Sequence, residues 1–279
     1  MLFYENSNGE KINLDEWPIV IEDITSLFGS EWKYEAIDNK TRNSVAVRLF
    51  YRTSATKKLN LQVFADSEEE FDETMDRLND IMDVDVIAGS PGKLWYGDYY
   101  LSCYAIESQP KDYEELFYAA DVEKTLISPY PFWISKRTYD FHSYGITSSN
   151  NKRYPGKYPY RYANGLNSNY IINPHFTDAN FQLIIYGPVV NPQVSIGNIP
   201  YLVNITLEEG EYLIIDSRSE TVTKVMNKGE RINAFHNRQK GRKFFQKIPP
   251  GRQLIAWTGK FDFDLIIFEE RGEPRWKSR

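Results

Sequence analysis

Asp262 and Asp264 stand two residues apart in a strand-like run, so their carboxylates fall on one face. A carboxylate pair of this kind can do acid–base work or hold calcium. The alternation with Phe261, Phe263 and Leu265 fits a solvated strand face better. Asn233, His236, Asn237 and Arg238 make the best cluster for ligand binding, with Trp257 in a later strand. Such polar groups can bond sugar hydroxyls while an indole covers an apolar sugar face. Trp257 lies in an alternating strand, where a core position is the simpler reading. Gly89-Ser90-Pro91-Gly92-Lys93 resembles part of a phosphate loop, but Ile87 stands where glycine is needed and Leu94 where Ser or Thr is needed. A hairpin turn explains it better. His142, His175 and His236 are far apart, and none has a second ligand at metal spacing. No nucleophile elbow occurs. The sequence therefore implies no catalytic residue, no metal and no cofactor.

Composition narrows the function further. The chain has 279 residues, a formal charge of -6 and 15% aromatic residues, many in alternating runs. Aromatic alternation favours strands. The acidic balance argues against a nucleic-acid partner, which needs a basic surface to displace counterions. The run from Arg238 to Lys243 is basic and reads as an exposed loop or a patch for an acidic partner. No stretch approaches the ~20 apolar residues needed to cross a bilayer. The start, MLFYENSNGEK, lacks the basic and apolar regions of a secretory signal. Cys103 is the one cysteine and reads as a small buried hydrophobe.

The elements follow from turn and period signals. Residues 2–4 and 10–22 read as short strands, as do 31–34, 45–51 and 57–63. Residues 45–51 carry apolar side chains on both faces, which predicts a strand covered on both sides. Ser67 with Glu70 three residues on predicts a capped helix over 67–82, with Phe71, Met75, Leu78 and Met82 as its apolar stripe. A helix lying on its own sheet is favoured over a partner-binding one. Asp85-Val86-Ile87 is expected to open the next hairpin. Gly97-Asp98 then breaks a strand into two arms. A further strand covers roughly 117–127, and Pro129 and Pro131 stop regular pairing. Residues 1–133 read as one domain and 134–168 as a linker, long loop or arm, because so long a connection is rarely idle. Residues 169–279 read as a second domain of short strands and turns, Lys243 to Lys247 among the strands, with the spacing of a β-sandwich or barrel.

In its order of features the chain resembles the distal tail (Dit) proteins of long-tailed phages. The resemblance is carried by the capped acidic helix, PGKLWYGDYYLSCYAIES, SPYPFW, GPVVNPQVSIG, YLVNITLEEGEYLIIDSRSETV, GERINAF, PPGRQLIAW and EPRW. It implies a mainly β chain: an N-terminal β-sandwich or split barrel with one α-helix and an extended hairpin, then a galectin-like β-sandwich. It also implies a non-enzymatic role at the virion tail tip. The N-terminal domain would form a homohexameric ring that continues the tail tube. The ring would dock a tail-tube protein above and a tail-associated lysin or tail fibre protein below. The second domain would support receptor-binding or other baseplate proteins, and segment 142–165 could serve as an arm for one of them. Trp95, Tyr96, Tyr99 and Tyr100 are candidate anchors between copies, since large rigid rings dominate interface energetics. The main alternative is a carbohydrate-binding module that reads cell-wall polysaccharide through Asn233, His236, Arg238 and Trp257. Sugar-binding galectins carry H-x-N-P-R, whereas this chain has His236-Asn237-Arg238 without spacer or proline. A glycan hydrolase would need a carboxylate pair in a cleft.

Overall fold

The computed structural model describes residues 1–39, 44–114, 117–143, 169–241 and 243–276. The chain is mainly β and divides into two compact units. Residues 1–135 form the first, together with the stretch from 270 onward; residues 136–269 form the second. The C-terminal residues therefore return to the first unit, where the Trp276 ring meets Phe28 edge-on with centroids 4.7 Å apart.

The long strand Tyr99–Glu114 organises the first unit. Its first half pairs with Gly92–Tyr96 across the Gly97-Asp98 turn, where Gly97 takes φ 59°. The same half pairs on its other side with Trp133–Ser135. Its second half pairs with Ala119–Ser128, which pairs in turn with Ala55–Phe64. Strand Leu2–Glu5 adds to the outer side of Gly92–Tyr96. Pairing stops at Ser128 and resumes at Trp133, as Pro129 and Pro131 require. Leu59, Leu61, Val63, Leu101, Cys103, Val122, Leu126 and Trp133 point into one core.

One α-helix, Glu68–Ala88, closes that core with Phe71, Leu78, Ile81 and Met82. Ser67 Oγ accepts from the Glu70 N–H at 3.2 Å. The Glu70 carboxylate accepts from the N–H of Asp66, one residue before the cap. The helix runs beyond the expected end near Asp83. Asp85, Val86 and Ile87 belong to it, and Gly89 ends it in the left-handed region at φ 62°. Asp85 explains the extra turn. It is fully buried and accepts from the Tyr4 hydroxyl and the Ser7 N–H, each at 2.6 Å. Burial comes first, then neighbouring Cys103 and Asp85, in pushing the Tyr4 phenol up, so it stays a donor. Gly89 sits at the carbonyl end of a helix, where the dipole repels anions, so a phosphate loop is ruled out there.

The second unit is a sandwich of two antiparallel sheets. One sheet has the order Arg231–Asn233, Thr221–Val225, Tyr212–Asp216, Asn180–Tyr186, Phe263–Arg271, Trp133–Phe141. The other has the order Asn169–Asn173, Gly251–Trp257, Gln193–Ile196, Ile199–Leu202. Their inward residues, including Phe181, Leu183, Ile185, Leu213, Ile255, Trp257 and Phe263, share one core. Glu211 and Lys224 form a nearly buried ion pair at 2.6 Å.

Three further expectations about elements are corrected. Trp133–Phe141 is a strand, so the stretch from 134 is not a linker; regular pairing satisfies its backbone. Lys243–Lys247 is a turn rather than a strand, with Phe244 buried beneath it. The strand at 45–51 is covered on neither side, as described below. The proposed arm 142–165 lies outside the described residues from 144 onward.

Two outcomes test this packing. A Cβ on Gly92 would collide with Asp85 Oδ2 and the Tyr4 hydroxyl. Gly92→Ala is expected to lower stability by roughly 1–3 kcal/mol in urea unfolding. The Glu208 N–H and then Lys224 hold the Glu211 carboxyl below its usual range. A depressed folded-state value stabilises above the unfolded value and is lost as pH falls through it. The stability difference between the native chain and Glu211→Gln should therefore shrink steadily as pH drops from neutral into the acid range.

Candidate assembly interface

Among the described residues, strands Lys33–Asn39 and Ser44–Tyr51 pair only with each other. At about 3.4 Å per residue the ribbon extends some 24 Å. The register puts Tyr34 beside Phe50, Ala36 beside Val47 and Asp38 beside Val45 on one face. The other face carries Tyr51, Leu49, Ile37 and Ala46. A bulge between Glu35 and Ala36 accommodates Arg48. Every residue of Ser44–Tyr51 is exposed, its large apolar side chains from 38% at Tyr51 to 61% at Phe50. A double-sided apolar pattern thus marks a strand with no cover among the described residues. An isolated two-stranded ribbon is marginal in water, and apolar surface of this extent usually has a partner.

The root of the ribbon is built to fix its direction. The Arg52 guanidinium lies 4.8 Å from the Phe132 ring centroid and 5.6 Å from that of Trp32. Arg52 Nε also donates to the Glu31 carbonyl at 3.3 Å. Lys57 Nζ donates to the carbonyls of Phe28 and Gly29. A pocket of about 570 Å³ opens between Phe28, Ser30, Arg52, Thr56 and Lys57. The Arg52 Nη1 atom is buried with no hydrogen-bond partner among the described residues.

The four aromatic anchor candidates are brought together, because they are the cross-strand pairs Trp95–Tyr100 and Tyr96–Tyr99 of one hairpin. Tyr99 and Tyr100 are each only 5% exposed. Trp95 is half-buried, stacked on Phe3 with centroids 5.6 Å apart, and 5.0 Å from Tyr100. Its indole N–H donates to Glu5, which also accepts from Lys93. Burial raises the Glu5 carboxyl, but the Lys93 bond and charge, Lys11 and Trp95 outweigh it and hold the group low.

The saccharide candidates are not brought together. Asn233, His236 and Arg238 flank a short 3-10 turn, Phe235–Asn237, while Trp257 belongs to the other sheet. Asn233 accepts from the Phe235 N–H, and Arg238 lies 3.6 Å over the Phe235 ring while donating to its carbonyl. Asn237 donates to the Asn204 carbonyl. These bonds shape the turn. Trp257 is 4% exposed and packs edge-on against Phe141 and Phe263. Its face cannot cover a sugar.

The remaining candidates also take structural places. Asp264 accepts from the Tyr186 hydroxyl at 2.7 Å, and Asp262 from the Ser143 N–H at 2.6 Å. The two carboxylates thus have separate partners, and Phe261, Phe263 and Leu265 are buried behind them. His175 is buried and bonded around Thr177, and His142 lies beside Asp262. Cys103 is buried, and burial pushes its thiol up to about 12, so it is not a thiolate at neutral pH. Among the described residues, no three His, Cys, Asp or Glu side chains are grouped to hold a metal ion. No helix among them is long and apolar enough to cross a membrane.

No protein-family model and no curated protein matches the chain. Solved structures do. The Dit protein of phage SPP1 superposes with a TM-score of 0.57 at 9% identity, over 97% of this chain and 99% of that one. A chain of the phage P2 baseplate, in its activated conformation with Ca, gives 0.57 at 12% identity over 98% and 100%. The same baseplate with Sr gives 0.55 at 12% identity over 95% and 98%. The fold is that of the phage Dit proteins. The likeness takes in both units of the chain, and the SPP1 protein is described as a paradigm of hub adsorption apparatus in phages that infect Gram-positive bacteria.

The placement of Trp257 yields a direct test. Trp257→Ala should open a core cavity and destabilise the chain by about 3–5 kcal/mol in chemical denaturation. An unchanged midpoint would show that the indole is not part of the core.

Proposed function

We propose that the protein is a structural hub of a phage tail tip, whose copies join head to tail into a closed ring. The carrying observation is the ribbon of Lys33–Asn39 and Ser44–Tyr51, which exposes apolar side chains on two faces and, among the described residues, pairs with no other strand. The Dit fold over nearly the whole chain supports the same reading. A ribbon that leaves its own unit to seat on a different patch of the next copy makes a heterologous contact, and such contacts close into rings when the rotation closes. Six copies follow from the resemblance to Dit proteins.

In this reading the ring continues the tail tube. It meets a tail-tube protein on one side and a tail-associated lysin or tail fibre protein on the other. The second sandwich carries receptor-binding or other baseplate proteins, and the place of work is the virion tail tip. The role is positional and needs no catalysis. Of the hairpin aromatics, Trp95 and Tyr96 keep part of their surface and belong at the margin of the contact, while Tyr99 and Tyr100 support it from the core. Nothing in the arrangement around Asn233, His236 and Arg238 favours the saccharide alternative.

The test is assembly. Multi-angle light scattering and electron microscopy should show closed rings for the native chain. Lys33 and Tyr51 are cross-strand neighbours, so a short Gly-Ser turn can replace residues 34–50 without disturbing the root. That variant should be monomeric with an almost unchanged melting temperature. A native chain that stays monomeric at high concentration and with its tail companions would overturn the reading.

A further inference from the structure

The pocket of about 570 Å³ in the first unit gathers positive charge that the chain itself leaves unanswered. Arg52 and Lys57 both line it, and both are half-buried. Among the described residues, neither cation has a carboxylate within ion-pair distance. Burial first, then the Arg52 charge, pushes the Lys57 ammonium down, and Glu273 offsets this only in part. Burial lowers the Arg52 guanidinium as well, again against Glu273. Two like charges thus repel each other where water is scarce, an arrangement that an anion relieves. Donors are available for that anion. Lys57 Nζ spends two of its three on the Phe28 and Gly29 carbonyls. The Arg52 fork has five, of which Nε serves the Glu31 carbonyl. Ser30, Thr53, Ser54 and Thr56 bring their hydroxyls to the same lining.

We propose that this pocket binds a single phosphate group, either the free ion or the monoester of a small polyol. The charge selects phosphate over a simple carboxylate. A phosphate near neutral pH carries close to two negative charges and enough oxygens for both cations and the hydroxyls. The guanidinium is a fork suited to paired oxygens, and the ammonium is a point charge beside it. Its stacking between Trp32 and Phe132 fixes the fork before any ligand arrives. The negative groups nearby set an upper limit. Glu31 lines the pocket and Glu273 acts on both cations, so a longer polyanion is repelled. Lys33, exposed at the rim, adds only screened attraction. Bound there, phosphate bridges residues 28–31, ahead of strand Lys33–Asn39, to residues 52–57, after strand Ser44–Tyr51. The site therefore stiffens the root of the ribbon, and it does not depend on the ring reading.

The experiment uses the full chain in phosphate-free buffer. Inorganic phosphate and glycerol 3-phosphate are titrated by calorimetry, with acetate at matched ionic strength as the control. One phosphate should bind per chain, and acetate should bind roughly tenfold more weakly or not at all. Comparing the ester with the free ion tells which source the pocket accepts. Arg52→Gln and Lys57→Gln should each weaken phosphate roughly tenfold, and Lys33→Gln less than about threefold. Arg52 also packs between two rings, so a second readout uses the native chain alone. Phosphate should slow amide hydrogen exchange in 28–31 and 52–57 and leave 180–216 unchanged. Acetate binding as well as phosphate, full affinity in a folded Arg52→Gln chain, or unchanged exchange at the root would each overturn the site. Light scattering in the same titration keeps the two readings apart: a monomer that binds phosphate retains the site and loses the ring.

Discussion

A carboxylate buried without a cation fixes the geometry of the first unit. Asp85 lies near the carbonyl end of its helix, where the dipole disfavours negative charge. It is tolerated because the Tyr4 hydroxyl and the Ser7 N–H both donate to it. Those donors come from the first strand and the turn after it, so the bonds tie the end of the helix to the start of the chain. They also demand a residue without a side chain at Gly92. With the helix end pinned there, Val86 and Ile87 are left facing water beside Ile106.

A second constraint is hydrophobic. Side chains such as Tyr34, Ile37, Val47 and Phe50 each lose roughly 1.5–3 kcal/mol of favourable burial when left in water. The first unit nevertheless holds its ribbon clear, with the Arg52 guanidinium between Trp32 and Phe132 and Lys57 on two carbonyls at its root. The same logic separates the two units. The sandwich of residues 136–269 buries its large aromatics, Trp257, Phe261 and Phe263, and keeps its polar turn around His236 bonded to itself.

Much of the fold was legible in the chain. Ser67, Glu70 and the apolar stripe announced the helix, Gly97-Asp98 the hairpin, and Pro129 and Pro131 the break in pairing. Alternation placed Cys103 and Trp257 in cores. The helix end is hard to read because β-branched Val86 and Ile87 look like a strand, whereas Gly89 is the local sign of the true end. The strand Trp133–Phe141 reads as linker because Ser, Lys and Arg in 135–137 mask its alternation. The ribbon is legible only in part: apolar residues stand on both faces of 45–51, a pattern that predicts cover from within the chain, whereas the strand is exposed.

By itself, then, the sequence determined the strands, the capped helix, the turns and which side chains leave water, since these depend on periods and spacings of a few residues. Tertiary structure alone decided what removes each side chain from water. Tyr4 reaches Asp85 across 81 residues of chain, and Trp257 is parted from His236 by lying in the opposite sheet. The ribbon finds no cover among the described residues of its own chain. Hydrophobic periodicity records that a face is buried, but not against what, because burial has no direction until distant strands have paired.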